Sequence, residues 1–306
     1  MPQPLFLAVD WGTTNLRAWV VGDDGAVLAE ERFPWGVGKL PPGEPERRLQ
    51  ESVRPVLSAE ELPVLMCGMI GSTLGMVEVP YLDAPAGLDD LARALHRVDG
   101  HDPAVFIAPG LRCVRPNGDP DVMRGEETKI LGWASLDPAR QTGRRLLVLP
   151  GTHAKWALIE DGRIVRFITA MSGELFDLLS RHSVLKSDEG PDDPAAFAAG
   201  LRTGGEPGPL AAKLFTARSR VVGGDMPKSA VRDYVSGLLV GDETAHLPAM
   251  IGAEDDDGVI DLMGDPALCA LYETAFAQRG VRTAVHDGDA AVLAGLTALH
   301  RQGAAA

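Results

Sequence analysis

The dipeptide Gly-Thr stands at Gly12-Thr13 and again at Gly151-Thr152, about half the chain apart, in matching surroundings. Each copy follows a short apolar run, Leu5–Val9 or Leu146–Leu149. Each precedes an outgoing run (Leu16–Val21, Lys155–Glu160), an Asp-Gly turn (Asp24-Gly25, Asp161-Gly162) and a return run (Val27–Phe33, Arg163–Thr169). Short apolar runs around Asp-Gly read as β-hairpins. A chain that does this twice folds as two related α/β domains, each opening with an antiparallel meander.

The turn itself suits anions. Glycine lets backbone N–H groups point inward, and threonine adds a hydroxyl donor. Two such turns facing one cleft would hold a polyphosphate from both sides. Asp10, which ends the first apolar run, would repel phosphate directly. It suits the Mg2+ that rides on phosphates. There is no GxxxxGK[ST] run, so the chain is not a P-loop enzyme.

Between the repeats, Pro34–Arg48 is dense in proline and glycine and reads as a loop. Arg47–Leu57 reads as a helix, Val64–Cys67 as a strand, Leu88–Val98 as an amphipathic helix and Ala104–Ile107 as a strand. Glu126–Ala134 reads as a helix with acids in its first turn, where the dipole favours them. The polar stretch Arg140–Arg145 marks the boundary between domains 1–139 and 140–306. Past the second repeat, Gly173–Leu185 and most of Pro191–Leu239 read as helical. A strand at Val259–Met263, a helix at Ala267–Arg279, a strand at Arg282–Val285 and an alanine-rich helix at Asp289–Leu299 follow. The acidic run Glu254–Gly258 lacks calcium-loop spacing and reads as a solvated loop.

Composition narrows the partners. The 306 residues carry a formal net charge of −14, which disfavours nucleic acid and anionic membranes and favours a small-molecule partner. The 3 cysteines, Cys67, Cys113 and Cys269, form no disulfide or zinc pattern and fit a reducing cytoplasm. The start, MPQPLFLAVD, lacks the basic region of a signal peptide, and no apolar run is long enough to span a membrane. The oligomeric state stays open, a homodimer included.

A resemblance sharpens this reading. DWGTTN at Asp10–Asn15 resembles the first phosphate motif of the actin/hexokinase/Hsp70 superfamily, and PGTHAKW resembles the second. DLMGDPALCALYETAFAQRG resembles the adenosine motif, and GDAAVLAGLTAL resembles the connecting helix whose small residues let the domains approach. More narrowly, GMIGS, EVPYLDAPAGL, DVMRGEET, LPGTHAKW, the Gly-Glu of MSGELFDLL, GDPALCALYE and DGDAAVLAGL together resemble the 2-dehydro-3-deoxygalactonokinase family, in order along nearly the whole chain. Thr73-Leu74-Gly75-Met76 stands where that family carries a basic residue and a tryptophan.

The resemblance implies two ribonuclease-H-like domains in actin-like ATPase architecture, with the active site between them and the last helix at their interface. It implies ATP and Mg2+, and transfer of the γ-phosphoryl to the terminal hydroxyl of a six-carbon 2-keto-3-deoxy sugar acid. Glu126 becomes the candidate catalytic base, with Glu127 as the alternative, and Asp10 the metal-side carboxylate. Gly12, Thr13, Thr14, Asn15, Gly151 and Thr152 become phosphate contacts, while Asn15 alternatively serves the turn's own backbone. Gly264, Ala267 and Leu268 would admit the adenine. Trp35, Gly36, Gly71 and Ser72 are candidate sugar contacts. Arg124, Lys155, Lys39 and Arg17 are candidates for the substrate carboxylate, with Arg124 and Lys155 best placed by motif. The competing classes are a kinase for another sugar, a non-catalytic nucleotide switch, and a sugar-sensing transcription factor. The last would need a DNA-binding segment and a basic face.

A kinase of this design should close on its ligands and exclude water from the γ-phosphate, hinging near Gly132–Arg145 and around the final helix. Small-angle scattering with and without ATP and sugar acid should show compaction. Unchanged domain angles would refute closure.

Overall fold

The computed structural model describes residues 1–253 and 258–303, so the Glu254–Asp257 part of the acidic loop lies outside the described residues. β1 (Pro4–Trp11), β2 (Leu16–Gly22) and β3 (Val27–Phe33) form the first meander. α1 (Glu44–Arg48) and α2 (Arg54–Val56), joined by a wider turn over Leu49–Val53, lead to β4 (Val64–Cys67). β5 (Leu82–Asp83), α3 (Leu88–Arg93), β6 (His96–Val98), β7 (Val105–Ile107), β8 (Leu111–Val114), β9 (Pro120–Met123) and α4 (Glu126–Ser135) follow. The second meander is β10 (Arg144–Leu149), β11 (Ala154–Glu160) and β12 (Arg163–Ala170). Next come α5 (Ser172–His182), α6 (Pro194–Gly205), α7 (Leu210–Gly223), α8 (Val231–Ile251), β13 (Ile260–Met263), α9 (Pro266–Gln278), β14 (Thr283–His286) and α10 (Gly288–Gly303).

The two large sheets repeat one topology. The first runs β3-β2-β1-β4-β7-β6 and the second β12-β11-β10-β13-β14. In each, an antiparallel three-strand meander is extended by two strands parallel to its first, β4 and β7 or β13 and β14, and in the first sheet β6 adds antiparallel at the edge. This is the ribonuclease-H-like order, present twice, and the pair makes the actin-like ATPase architecture. Among the described residues no helix is long and apolar enough to cross a membrane.

Two features differ from the sequence expectation. The helix over Leu88–Val98 stops at Arg93, and His96–Val98 instead pairs antiparallel with Val105–Ile107. An open sheet edge there captures residues whose local pattern favours helix. The second feature is a three-stranded sheet, β5-β8-β9, which local pattern did not mark. It reaches across to the second half. Asp121 accepts from Thr169 N at 2.7 Å and Thr169 Oγ1 at 2.7 Å, and Ala86 bridges Ile164.

One apolar cluster joins the halves. It takes Phe6, Ala8 and Trp19 from the first sheet, Leu147, Leu149 and Phe167 from the second, Leu111 and Met123 from the small sheet, and Ile130, Trp133, Leu296 and Leu299 from α4 and α10. At the centre α4 and α10 cross without intervening side chains. A methyl group on Gly132 would lie 2.0 Å from Ala291 O, and one on Gly295 would lie 2.2 Å from Thr128 O. Backbone cannot yield as a flexible side chain does. Gly132→Ala and Gly295→Ala should each therefore cost about 3 kcal/mol in denaturant unfolding. A loss below the error of the measurement would show that the crossing is loose.

Candidate active site

Each phosphate-type turn is held from behind by a glycine that follows the third strand of its meander. In the first half, Gly36 N donates to Thr14 O at 2.9 Å, Val37 N to Gly12 O at 3.0 Å, and Gly38 N to Thr13 O at 3.1 Å. A methyl on Gly36 would sit 2.4 Å from the Gly12 carbonyl oxygen. In the second half, Glu174 N donates to Thr152 O at 3.0 Å, and a methyl on Gly173 would sit 2.4 Å from Gly151 O. Gly173 was legible only as part of a motif. Its role shows once β12 is aligned with β3.

The front of the first turn is open, with Thr13, Thr14 and Asn15 exposed. Gly12 N donates to Asn15 O at 3.0 Å, which closes the turn on its own backbone. Asp10, at the end of β1, accepts from Arg17 Nη2 at 2.9 Å, and Arg17 also pairs with Asp289 on α10. The second Asp10 oxygen has Cys67 Sγ at 3.9 Å. Burial, reinforced by the charges of Asp10 and Glu127, pushes the Cys67 thiol well up, so it is an inert packing group. Arg17 is thus committed to carboxylates, and Lys39 Nζ reaches only Pro34 O at 3.0 Å.

Glu126 is set by close backbone contacts. Gly68, at φ +95°, lies against Trp11 O, and Gly125, at φ +105°, lies against the Gly68 Cα. Both positions demand glycine twice over, for the left-handed backbone and for the space. The start of α4 is thereby pressed on the end of β1. Glu126 Oε1 meets Lys155 Nζ of the other half at 3.2 Å, and its Oε2 accepts from Arg124 N at 3.1 Å. Lys155 is 5% exposed and also donates to His153 O at 3.3 Å. His153 pairs with Glu174 at 2.5 Å. The structure thus brings together Glu126, Lys155 and the residue that braces the second turn.

Arg124, a candidate for the substrate carboxylate, is 8% exposed. Its Nη2 donates to Val79 O at 2.7 Å and its guanidinium stacks 4.2 Å from the Tyr81 ring. Its Nε and Nη1 are buried without a partner among the described residues, and Gly71 lies against Nη1. The Ser72 hydroxyl is used locally, donating to Met69 O at 2.7 Å. Trp35 packs between Phe33, Trp11 and Arg48, behind the first turn.

The second turn opens into a cavity of about 1060 Å³ lined by Gly151, Thr152, Ser172, Ala267, Leu268 and Tyr272 among others. Gly264 brings α9 to it: a methyl there would lie 3.2 Å from Pro150 O. Asp265 caps α9 by accepting from Ala267 N and Leu268 N. Gly264 precedes the helix whose Ala267 and Leu268 line the cavity. Among the described residues no group of three or more His, Cys, Asp or Glu side chains converges as a metal cage.

Two ribonuclease-H-like halves, an open Gly-Thr turn on each, and a cavity beside the second define a two-domain protein of actin-like architecture. The activator of a 2-hydroxyisocaproyl-CoA dehydratase from Clostridium difficile, solved with bound ADPNP, shares that fold, with a TM-score of 0.50 at 13% identity over 98% of this chain and 96% of that one. Within the class, residues 10–299 match the model of the 2-keto-3-deoxy-galactonokinase family, and the chain belongs to that family. The Rhizobium meliloti (strain 1021) protein named "Probable 2-dehydro-3-deoxygalactonokinase DgoK1" is 37% identical, covering 97% of this chain and 96% of the relative. The Escherichia coli (strain K12) 2-dehydro-3-deoxygalactonokinase is 35% identical, covering 96% and 97%. A crystal structure from Sinorhizobium meliloti, provisionally named for the same activity, superposes with a TM-score of 0.87 at 36% identity, covering 97% of this chain and 98% of that one.

Glu127, the alternative base, is buried to 0% exposure. It accepts from Gly125 N at 2.7 Å and Thr128 Oγ1 at 3.0 Å. Burial first, then the charge of Glu126, raises its pKa to about 8. It is therefore mostly protonated at neutral pH and unfit to take a proton. The folded pKa exceeds the unfolded one, so its contribution to stability is fully present below the ordinary glutamate pKa. That contribution is lost as pH rises towards 8. Glu127→Gln should flatten this decline in thermal melts taken between pH 5 and 9. Parallel wild-type and variant curves would contradict the raised pKa.

Proposed function

We propose that this chain is an ATP-dependent kinase that phosphorylates 2-dehydro-3-deoxygalactonate on its terminal hydroxyl. The observation that carries the reading, beyond family membership, is the Glu126–Lys155 contact of 3.2 Å, which joins a carboxylate at the start of α4 to the strand leaving the second turn. A carboxylate, a cation and a phosphate-type turn in contact are what phosphoryl transfer to an alcohol requires.

In this reading the turns at Gly12–Asn15 and Gly151-Thr152 hold the phosphates, and the cavity against Ala267 and Leu268 takes the adenosine. Glu126 accepts the proton of the attacking hydroxyl as its oxygen bonds to the γ-phosphorus and the bond to the β-phosphate oxygen breaks, releasing ADP. Lys155 orients Glu126 and supplies positive charge beside the transfer. Asp10 fits a Mg2+ ion, because a single carboxylate suffices where phosphates and water complete the shell. Such an ion would neutralise phosphate charge. The sugar lies over Gly71 and Ser72. Arg124 takes its carboxylate: two buried donors without partners are costly, and an anion would satisfy them. Trp35 and Gly36 act from behind the first turn, and the enzyme works in the cytoplasm.

A coupled ADP-release assay with Mg-ATP should give turnover on 2-dehydro-3-deoxygalactonate, less on its gluconate epimer, and none on neutral hexoses. Glu126→Ala should lower kcat by about 10²–10⁴-fold. Arg124→Gln should raise KM for the acid by roughly 10–100-fold with KM for ATP unchanged. Turnover confined to neutral sugars would remove the substrate assignment, and no turnover with nucleotide still bound would remove the kinase.

A further inference from the structure

Glu243, in the middle of α8, is 5% exposed and has no ion-pair partner among the described residues. Its Oε2 accepts from Trp156 Nε1 at 2.8 Å and from Tyr272 Oη at 2.8 Å. Its Oε1 is buried without a partner, as is Ser172 Oγ, which lies near enough to Glu243 and Tyr272 to influence both. Burial, opposed by these hydrogen bonds, leaves the carboxyl pKa raised.

The three polar neighbours come from three elements, two of which wall one cavity while the third leaves the turn at its mouth. Trp156 is on β11, the strand leaving the Gly151-Thr152 turn. Ser172 begins α5 and precedes Gly173, which braces that turn. Tyr272 is on α9, whose first turn presents Ala267 and Leu268. Ser172 and Tyr272 line the cavity themselves. A buried carboxyl without a cation is a poor way to gain stability, since an apolar group of its size would often serve as well. It is a good way to fix where three elements stand relative to one another, because hydrogen bonds have direction.

We infer that Glu243 is a positioning residue for the nucleotide: through Trp156 and Tyr272 it ties α8 to β11 and α9 and so holds the arrangement that shapes the cavity beside the second phosphate turn. The inference rests on the reading that this cavity takes the adenosine of ATP. It places on α8 a determinant of nucleotide affinity that touches no ligand.

The test is ADP binding by calorimetry, with steady-state kinetics, for wild type, Glu243→Met, Glu243→Gln and Tyr272→Phe. Glu243→Met keeps the volume and removes the acceptor. It should weaken ADP binding and raise KM for ATP by about tenfold or more, leaving KM for the sugar acid within twofold. Glu243→Gln, which keeps an acceptor, should recover most of the affinity, and Tyr272→Phe should fall between. A folded Glu243→Met that binds ADP within twofold of wild type overturns the inference, as does an equal rise in both KM values. If that variant does not fold, Tyr272→Phe decides on the same criteria. Failure of the wild-type protein itself to bind ADP would instead overturn the nucleotide assignment on which the inference stands.

Discussion

The crossing of α4 and α10 at Gly132 and Gly295 sets the distance between the halves, and the cleft depends on that distance. Side chains larger than hydrogen would hold the helices apart by the thickness of a methyl layer. At the other end of α4, Gly125 on Gly68 on Trp11 stacks backbone on backbone in the same way. With both ends fixed, Glu126 has one place to be, and that place is within 3.2 Å of Lys155 from the opposite half. The apolar cluster that takes in α4, α10 and both sheets makes the floor beneath this pair solid.

The two halves solve one problem with one device and then diverge. Gly36 and Gly173 occupy equivalent positions after the third strand, and each lets backbone N–H groups reach the carbonyls of its Gly-Thr turn. After Gly36 the chain makes a single short turn over Val37–Lys39 and moves off along the surface. After Gly173 it builds α5 to α8, of which α5, α6 and α8 wall a cavity next to the turn. On the proposed reading, a turn alone would hold phosphate, whereas a turn with a cavity would also hold what the phosphate is attached to. The divergence would then give the halves different work.

Much of this was legible because it is local. Val27–Phe33 is a strand in the sequence pattern and in the structure, since an Asp-Asp-Gly turn fixes the preceding hairpin without help from elsewhere. The Gly-Thr repeat likewise announces two meanders. What was not legible depends on partners distant in the chain. His96–Val98 becomes a strand only because Val105–Ile107 offers an edge. The strands of the small sheet are two to four residues long, too short to carry a period, and Asp121 meets Thr169 only in the fold. At the site, Glu126 and Glu127 are indistinguishable as neighbours in a first turn. Burial separates them, leaving one facing Lys155 and pushing the other's pKa to about 8. Glu243, beside Asp242 in a long helix, resembles an ordinary solvated acid until Trp156 and Tyr272 are placed around it.

The same contacts show how a chain of net charge −14 holds cations beside its two turns. Most of these cations are already compensated. Arg17 lies between Asp10 and Asp289, and Lys155 faces Glu126. Unpaired, these charges would be expensive to hold in a closed, partly dry space. Paired, they can remain there, and on the proposed reading a phosphate would need only to share a cation. Arg124 is the exception, stacked on Tyr81 with two donors unmet. Because screening confines each of these effects to about a Debye length, on the proposed reading the acidic outer surface would govern the encounter with an anion and the side chains around the turns would govern its grip.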